Sequence, residues 1–228
     1  MTFENSIPMS INICFYYTNE FESKKDRMLN MSINEGFENI FIYSRDFLHK
    51  TEFYDKNKSI LSLKRGAGYW LWKPFIILES LNKIQDGDII FYLDCGDVFS
   101  NGIKSYLVSY FQNQNILIAS GYTSNKLWTK RDCFYYMNCD NEQYWNTNQV
   151  EAGIIAFKKT KFNIDFIKEW ITYCSNPNII TDTQNTCGLT NFYGFIEHRH
   201  DQSILTNLCV KYSIQSSLEI RNYVKCNV

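Results

Sequence analysis

Ile89-Ile90-Phe91-Tyr92-Leu93-Asp94-Cys95-Gly96-Asp97 decides how this chain folds. Its first five residues are apolar or aromatic without polar alternation, the pattern of a strand covered on both faces, as in a parallel sheet. The run starts right after an Asp86-Gly87-Asp88 turn and stops at two carboxylates. Just upstream, Pro74 suits the first turn of a helix, and Ile77, Leu78, Leu81 and Ile84 give that helix one apolar face. A helix feeding directly into a buried strand is the repeating unit of an α/β protein.

The same alternation extends toward the N-terminus. Ile11-Asn12-Ile13-Cys14-Phe15-Tyr16-Tyr17 reads as a buried strand, and residues 20–35 as a polar helix with Leu29 and Ile33 at helical spacing. Gly36 is placed to cap that helix, and Ile40-Phe41-Ile42-Tyr43 follows as a second strand. A β-α-β opening implies a right-handed crossover and a parallel sheet. Residues 46–63 show no clear period and read as a loop with a short helix.

Toward the C-terminus, strands are expected at Ile116-Leu117-Ile118-Ala119 and at Gly153-Ile154-Ile155-Ala156-Phe157, separated by a polar, aromatic loop over 121–148. Ile164, Ile167, Trp170, Ile171 and Cys174 mark an amphipathic helix. A last helix starts near Asp201 with Ile204, Leu205, Leu208 and Cys209 facing inward. No linker divides the 228 residues, so the expectation is one domain over 1–228, with a nucleotide-binding half of about 1–100 and an acceptor-side half of about 101–228.

Composition excludes several classes. The 38 Trp, Tyr and Phe residues are too much aromatic area for a disordered chain. Lys and Arg total 23 against 24 Asp and Glu, with no basic run, which leaves no electrostatic footprint for nucleic acid. No apolar stretch reaches the roughly 18 residues of a membrane span, and Glu4 and Asn5 stand where a secretory signal wants basic residues. The 8 cysteines contain no C-x-x-C pair and read as free packing thiols of a cytoplasmic protein.

Ligands of open parallel sheets bind beyond the carboxyl ends of the strands, where Asp94 and Asp97 fall. Two carboxylates there can hold a hard divalent cation, or can simply make turn hydrogen bonds. Around them, Tyr92-Leu93-Asp94-Cys95-Gly96-Asp97 resembles the Tyr-Leu-Asp-x-Asp signature of GT-A-type glycosyltransferases, closest to the group of glycogenin and the lipopolysaccharide galactosyltransferases. The segment Gly66-Ala67-Gly68-Tyr69-Trp70-Leu71-Trp72-Lys73-Pro74 matches the place of that group's basic helix-opening residue. Glu151-Ala152-Gly153 resembles its Asn-Ser-Gly strand, and Asp201-Gln202 its Asp-Gln pair.

The resemblance implies a GT-A-like fold with a Rossmann-type, mostly parallel sheet flanked by helices, and a nucleotide-sugar donor, UDP-sugar first among them. It implies Mn²⁺ or Mg²⁺ on Asp94, with Asp97 and His200 as further ligands. Donor contacts would come from Tyr16, Thr18, Arg65, Lys73, Asp94, Gly153 and Gln202. Asp201 and Glu151 would be catalytic, facing the sugar and the hydroxyl of a glycan, protein or lipid acceptor, with retention of configuration. This chain departs from the family in three places. Gly96 stands where the second aspartate belongs, Glu151 replaces an asparagine, and no histidine follows His200.

Plainer readings stand beside these. Asp201 makes a good helix N-cap, and His198-Arg199-His200-Asp201 a polar connection into a helix. Trp70 and Trp72 can be core, and an extended backbone would put only one of them in a cleft. The rival function is a non-catalytic nucleotide-sugar or carbohydrate-binding module of the same fold. A nucleotidyltransferase would want a glycine-rich loop where Tyr17-Thr18-Asn19-Glu20 stands.

Overall fold

The structure, a computed structural model, describes residues 9–226; Glu4 and Asn5 lie outside the described residues. Its strands are β1 (Ile11–Tyr17), β2 (Ile40–Ser44), β3 (Ile89–Leu93), β4 (Val98–Phe99), β5 (Ile116–Ser124), β6 (Asn148–Lys158) and β7 (Val224–Lys225). The longer helices are α1 (Glu22–Glu35), α2 (Trp72–Leu81), α3 (Ile103–Tyr110), α4 (Lys161–Cys174) and α5 (His200–Lys211).

Five strands form one sheet in the order β2-β1-β3-β6-β5, and β4 and β7 pair in a small separate ribbon. β1 is parallel to β2 and β3, and β6 runs antiparallel between β3 and β5. The sheet is therefore mostly parallel, with a reversed strand beside the one that ends at Asp94.

Alternation along the buried strands sends side chains to two helical layers. Ile11, Ile13 and Phe15 of β1 and Ile89, Phe91 and Leu93 of β3 pack with Met28 of α1 and with Ile103 and Leu107 of α3. Cys14, Tyr16, Ile90 and Tyr92 face the other way, onto Ile76 and Ile77 of α2, Phe166 and Trp170 of α4, and Ile204 and Leu208 of α5. Each such side chain gains about 1.5–3 kcal/mol from burial, so the central strands need no propensity argument beyond their apolar faces.

Several expectations change in detail. β1 and β3 span the residues read for them. α1 turns Met28 and Ser32 inward and leaves Ile33 58% exposed; the Ser32 hydroxyl can be buried because it donates to the Met28 carbonyl at 2.8 Å. Gly36 caps α1 in the left-handed conformation at φ 77°. Residues 46–63 hold three short helices, the first beginning at Arg45. β5 and β6 are longer than expected and take up both ends of the 121–148 segment, whose middle holds a 3-10 turn and two short α-helices. All eight cysteines are free thiols and six are buried. Among the described residues, no helix is long and apolar enough to cross a membrane.

Candidate active site

The first three strands end on a common edge, and α2 and α5 bring their N-termini to it. Lys73, the second residue of α2, is only 3% exposed. Its ammonium lies 3.4 Å from Asp94 Oδ1, just past β3, and 3.3 Å from Asp201 Oδ2 in the first turn of α5. Burial pulls the Lys73 ammonium toward neutrality, but Asp201 and Asp94 outweigh it and hold it above its ordinary range. The Lys73 ammonium also lies 5.3 Å from the Tyr92 ring centroid, a cation–π contact.

The two carboxylates differ in setting. Asp201 is 3% exposed, and burial pushes it up to about 6 despite Lys73, with Asp94 adding to the rise. Its Oδ2 meets Lys73 as an ionic contact and has no hydrogen-bond partner. No side chain caps α5, so the N-cap reading of Asp201 gives way to ion pairing. Asp94 keeps its side chain 42% exposed while accepting the Tyr92 hydroxyl at 2.5 Å. Its backbone N–H donates to the Gly153 carbonyl at 3.0 Å.

Above Lys73 opens a cavity of about 160 Å³, lined by Arg65, Trp70, Lys73, Asp94, Gly153, Glu197, Arg199, Asp201 and Gln202 among others. Gln202 donates to the Gln149 side chain at 2.8 Å, which fixes it on the wall.

The loop entering α2 is strained. Gly66, Ala67, Gly68, Tyr69 and Trp70 all have positive φ, between 51° and 103°. Each non-glycine residue there costs about 1–2 kcal/mol. A side chain at 68 is impossible without movement, since a β-carbon would sit 2.6 Å from the Leu61 Cα. The Trp72 indole N–H donates to the Gly66 carbonyl at 2.9 Å and closes the turn. The segment is thus not extended, yet only one tryptophan reaches the cavity. Trp70 lines it, while Trp72 is buried and stacked on Tyr16 at 4.0 Å between centroids.

Trp70 lies over His200, nearly parallel, at 5.4 Å. His200 is itself at φ 50°, with Nδ1 at 2.8 Å from the Ile180 carbonyl and Nε2 accepting from Arg65 Nε at 2.9 Å. Burial holds the imidazole below its usual range, which fits a neutral ring donating through Nδ1. His198 is likewise spent, with Nε2 on the Ile179 carbonyl at 2.8 Å and Nδ1 accepting the Lys130 N–H at 3.3 Å.

The sequence-derived site residues thus divide. Lys73, Asp94, Asp201, Arg65, Gly153, Gln202 and His200 surround one cavity. Glu151 does not line it and is ion-paired with Arg221. Tyr16 is core beneath the edge, with its buried hydroxyl unpartnered, and Thr18 opens the short turn after β1 through its carbonyl, which accepts the Phe21 N–H at 2.7 Å. Asp97 is buried outside the cavity lining, in a turn closed by its N–H on the Asp94 carbonyl at 2.9 Å.

A divalent cation tests poorly against these residues. Gly96 offers no carboxylate, and both His200 nitrogens are engaged. Among the described residues, no group of three or more His, Cys, Asp and Glu side chains is arranged to hold a metal ion. Of the two partly open carboxylates in the cavity, Glu197 is paired with Arg65 and Arg199 and stands apart from the expected ligands, which leaves Asp94, so the metal set implied by the resemblance does not assemble.

Glu197 and Arg199 are cavity residues that no spacing rule picked out. Their signal was alternation: Glu197-His198-Arg199-His200 places buried rings between half-exposed charges.

No family model and no curated protein matches this chain. Solved structures do match it. Mouse xyloside xylosyltransferase 1, in its apo form, superimposes with a TM-score of 0.50 at 9% identity, over 92% of this chain and 85% of that one. The fold is the GT-A glycosyltransferase fold. The apo bifunctional glycosyltransferase WbbM also matches at 0.50, with 10% identity, over 89% of this chain and 38% of that much longer one. At such identities the likeness concerns the GT-A fold, while the chemistry has to be argued from the side chains.

Proposed function

We propose that this chain is a glycosyltransferase that moves a sugar from a nucleoside-diphosphate-sugar, UDP-sugar first, to an acceptor hydroxyl. The carrying observation is Lys73, a buried cation held between Asp94 and Asp201 at the floor of a cavity on the carboxyl edge of the sheet. A departing diphosphate gains negative charge as the glycosidic bond breaks, and a fixed cation beneath it stabilises that charge without reorganising. The half-exposed Asp94 and the buried Asp201 present negative charge to the electron-poor anomeric carbon. In the retaining course the leaving phosphate takes the acceptor's proton. If product analysis shows inversion, Asp201, with its carboxyl raised to about 6, is the general base.

Residues before about 100 would hold the nucleotide over Tyr16 and Trp72. The outer parts of β5 and β6, with the short helices between them, would meet the acceptor. Mn²⁺ is left out of this proposal because its ligands do not assemble. A thermal-shift panel of UDP, GDP, ADP and their sugars tests the reading, since a ligand of the native state raises Tm. One nucleotide family should give a shift, and Asp94→Ala should reduce the part of it that the attached sugar adds. No shift with any of them would sink the reading and favour a module that binds something else.

A further inference from the structure

We propose that Arg65 and Arg199, with Lys73 below them, bind the donor diphosphate in place of a divalent cation, and that Glu197 occupies the phosphate position until the donor arrives. The inference rests on the glycosyltransferase reading and adds how the anion is held. Glu197 divides its carboxylate between two guanidiniums, with Oε2 3.1 Å from Arg65 Nη2 and Oε1 3.1 Å from Arg199 Nη2. A phosphoryl group offers the same pair of oxygens with more charge, and guanidinium is suited to either.

Both arginines are held from behind by other groups. Arg65 Nε donates to His200 and lies 3.2 Å from Asp182 Oδ2, and His200 is fixed by the Ile180 carbonyl and the Trp70 ring. The Arg199 guanidinium lies 4.3 Å from the Trp128 ring centroid. Removing Glu197 therefore leaves two positioned cations facing an open cavity. The exchange is easy, because all three side chains are 40–46% exposed and exposed ion pairs contribute little.

Space requires the same movement. A cavity of about 160 Å³ is smaller than the roughly 300–1,000 Å³ of ordinary ligand pockets. Glu197 lies two residues before the end of a connection, residues 181–199, with no helix or strand. Swinging its side chain out enlarges the cavity and exposes the arginines in one step. Charge agrees as well. The lining holds Arg65, Lys73 and Arg199 against Asp94, Glu197 and Asp201, so displacing Glu197 leaves the lining with one more cation than anion, Asp182 standing behind Arg65.

Calorimetric titration with UDP, GDP and ADP, in EDTA and again with Mn²⁺ or Mg²⁺, tests this. One nucleotide should bind equally well in both buffers. Arg65→Gln and Arg199→Gln should each weaken it about tenfold, the loss of one charge-assisted contact. Glu197→Gln should tighten binding several-fold in a protein whose Tm is unchanged. The Arg199 guanidinium rests on Glu197 and Trp128, whereas Arg65 is the one bonded to the His200 ring, so the Arg199 variant separates anion binding from support of the loop. Binding that appears only with metal, or a Glu197→Gln variant that binds no more tightly, overturns the inference and leaves the transferase reading standing. No binding in either buffer overturns the transferase reading itself.

Discussion

Asp94 fills the space that a side chain on residue 153 would need: a β-carbon on Gly153 would lie 2.9 Å from Asp94 Oδ2. The approach is built by an irregularity between β5 and β6. Ile118 pairs with Ile155, but the next residue, Ala119, pairs with Glu151. Ala152, Gly153 and Ile154 are left over as a bulge, which meets the Asp94 backbone. Gly153 was read from sequence as a donor contact, and its structural work is to let the carboxylate stand upright over Lys73.

Gly153→Ala should therefore displace the Asp94 carboxylate more than it disturbs the fold. Overpacking costs about 1–3 kcal/mol, borne here by a half-exposed side chain that can swing away. The expected result is a small loss in urea midpoint with at least a tenfold fall in donor turnover. Equal losses from Gly153→Ala and from a distant overpacking variant would show that Asp94 position is irrelevant.

Lys73→Met should be costly at neutral pH. It leaves Asp201 buried without its cation, and breaking a buried pair from one side typically costs about 3–5 kcal/mol. The loss should shrink near pH 5, because Asp201 then takes up a proton. Chemical denaturation at pH 7.5 and pH 5 checks this, and a loss independent of pH would mean that the methionine fails by packing alone.

How much of this was legible follows from what each signal carries. Buried runs located β1 and β3 because a short stretch that is apolar throughout, or with Asn12 as its one polar residue, fits a strand covered on both faces. Direction is not encoded in such a run, so the reversal of β6 was invisible. Asp94 could be named because a carboxylate stood at a strand end, Lys73 and Asp201 because their segments resemble those of the GT-A group, and the fold gathers all three. Glu151 was misplaced in the site, since an irregular strand gives no sequence sign of which face a residue takes. The left-handed turn at 66–70 was hidden too. Ala67, Tyr69 and Trp70 do not favour positive φ, and tertiary contacts hold them there: Trp70 on His200, Trp72 on Tyr16 and the Trp72 indole on the Gly66 carbonyl.

Tyr16→Phe separates core from site. The Tyr16 hydroxyl is buried without a partner, and burial raises its pKa to about 12. Removing an unsatisfied buried hydroxyl should leave stability equal or raise it by about 1 kcal/mol. If the hydroxyl meets the nucleotide, the same variant should bind nucleoside diphosphate several-fold more weakly. Unchanged binding in a variant of equal or greater stability would assign Tyr16 to the core alone.

The pH dependence of Asp201 gives the last test. Its folded pKa of about 6 lies above its ordinary value of 3.8. A carboxyl raised on folding favours the protonated native state, so its contribution is complete below the unfolded value and is lost as pH rises through the folded one. Compared with Asp201→Asn, the wild type should lose stability between about pH 4 and 6 and run parallel above that, at about 1.4 kcal/mol per unit of displacement. Transfer should move the opposite way, because only the ionised carboxylate can face a developing positive charge or accept a proton. Activity should rise through the same window in wild type and be largely lost in Asp201→Asn at every pH. A stability difference that is flat from pH 4 to 7 would mean that Asp201 is ionised throughout, with Lys73 compensating fully for its burial.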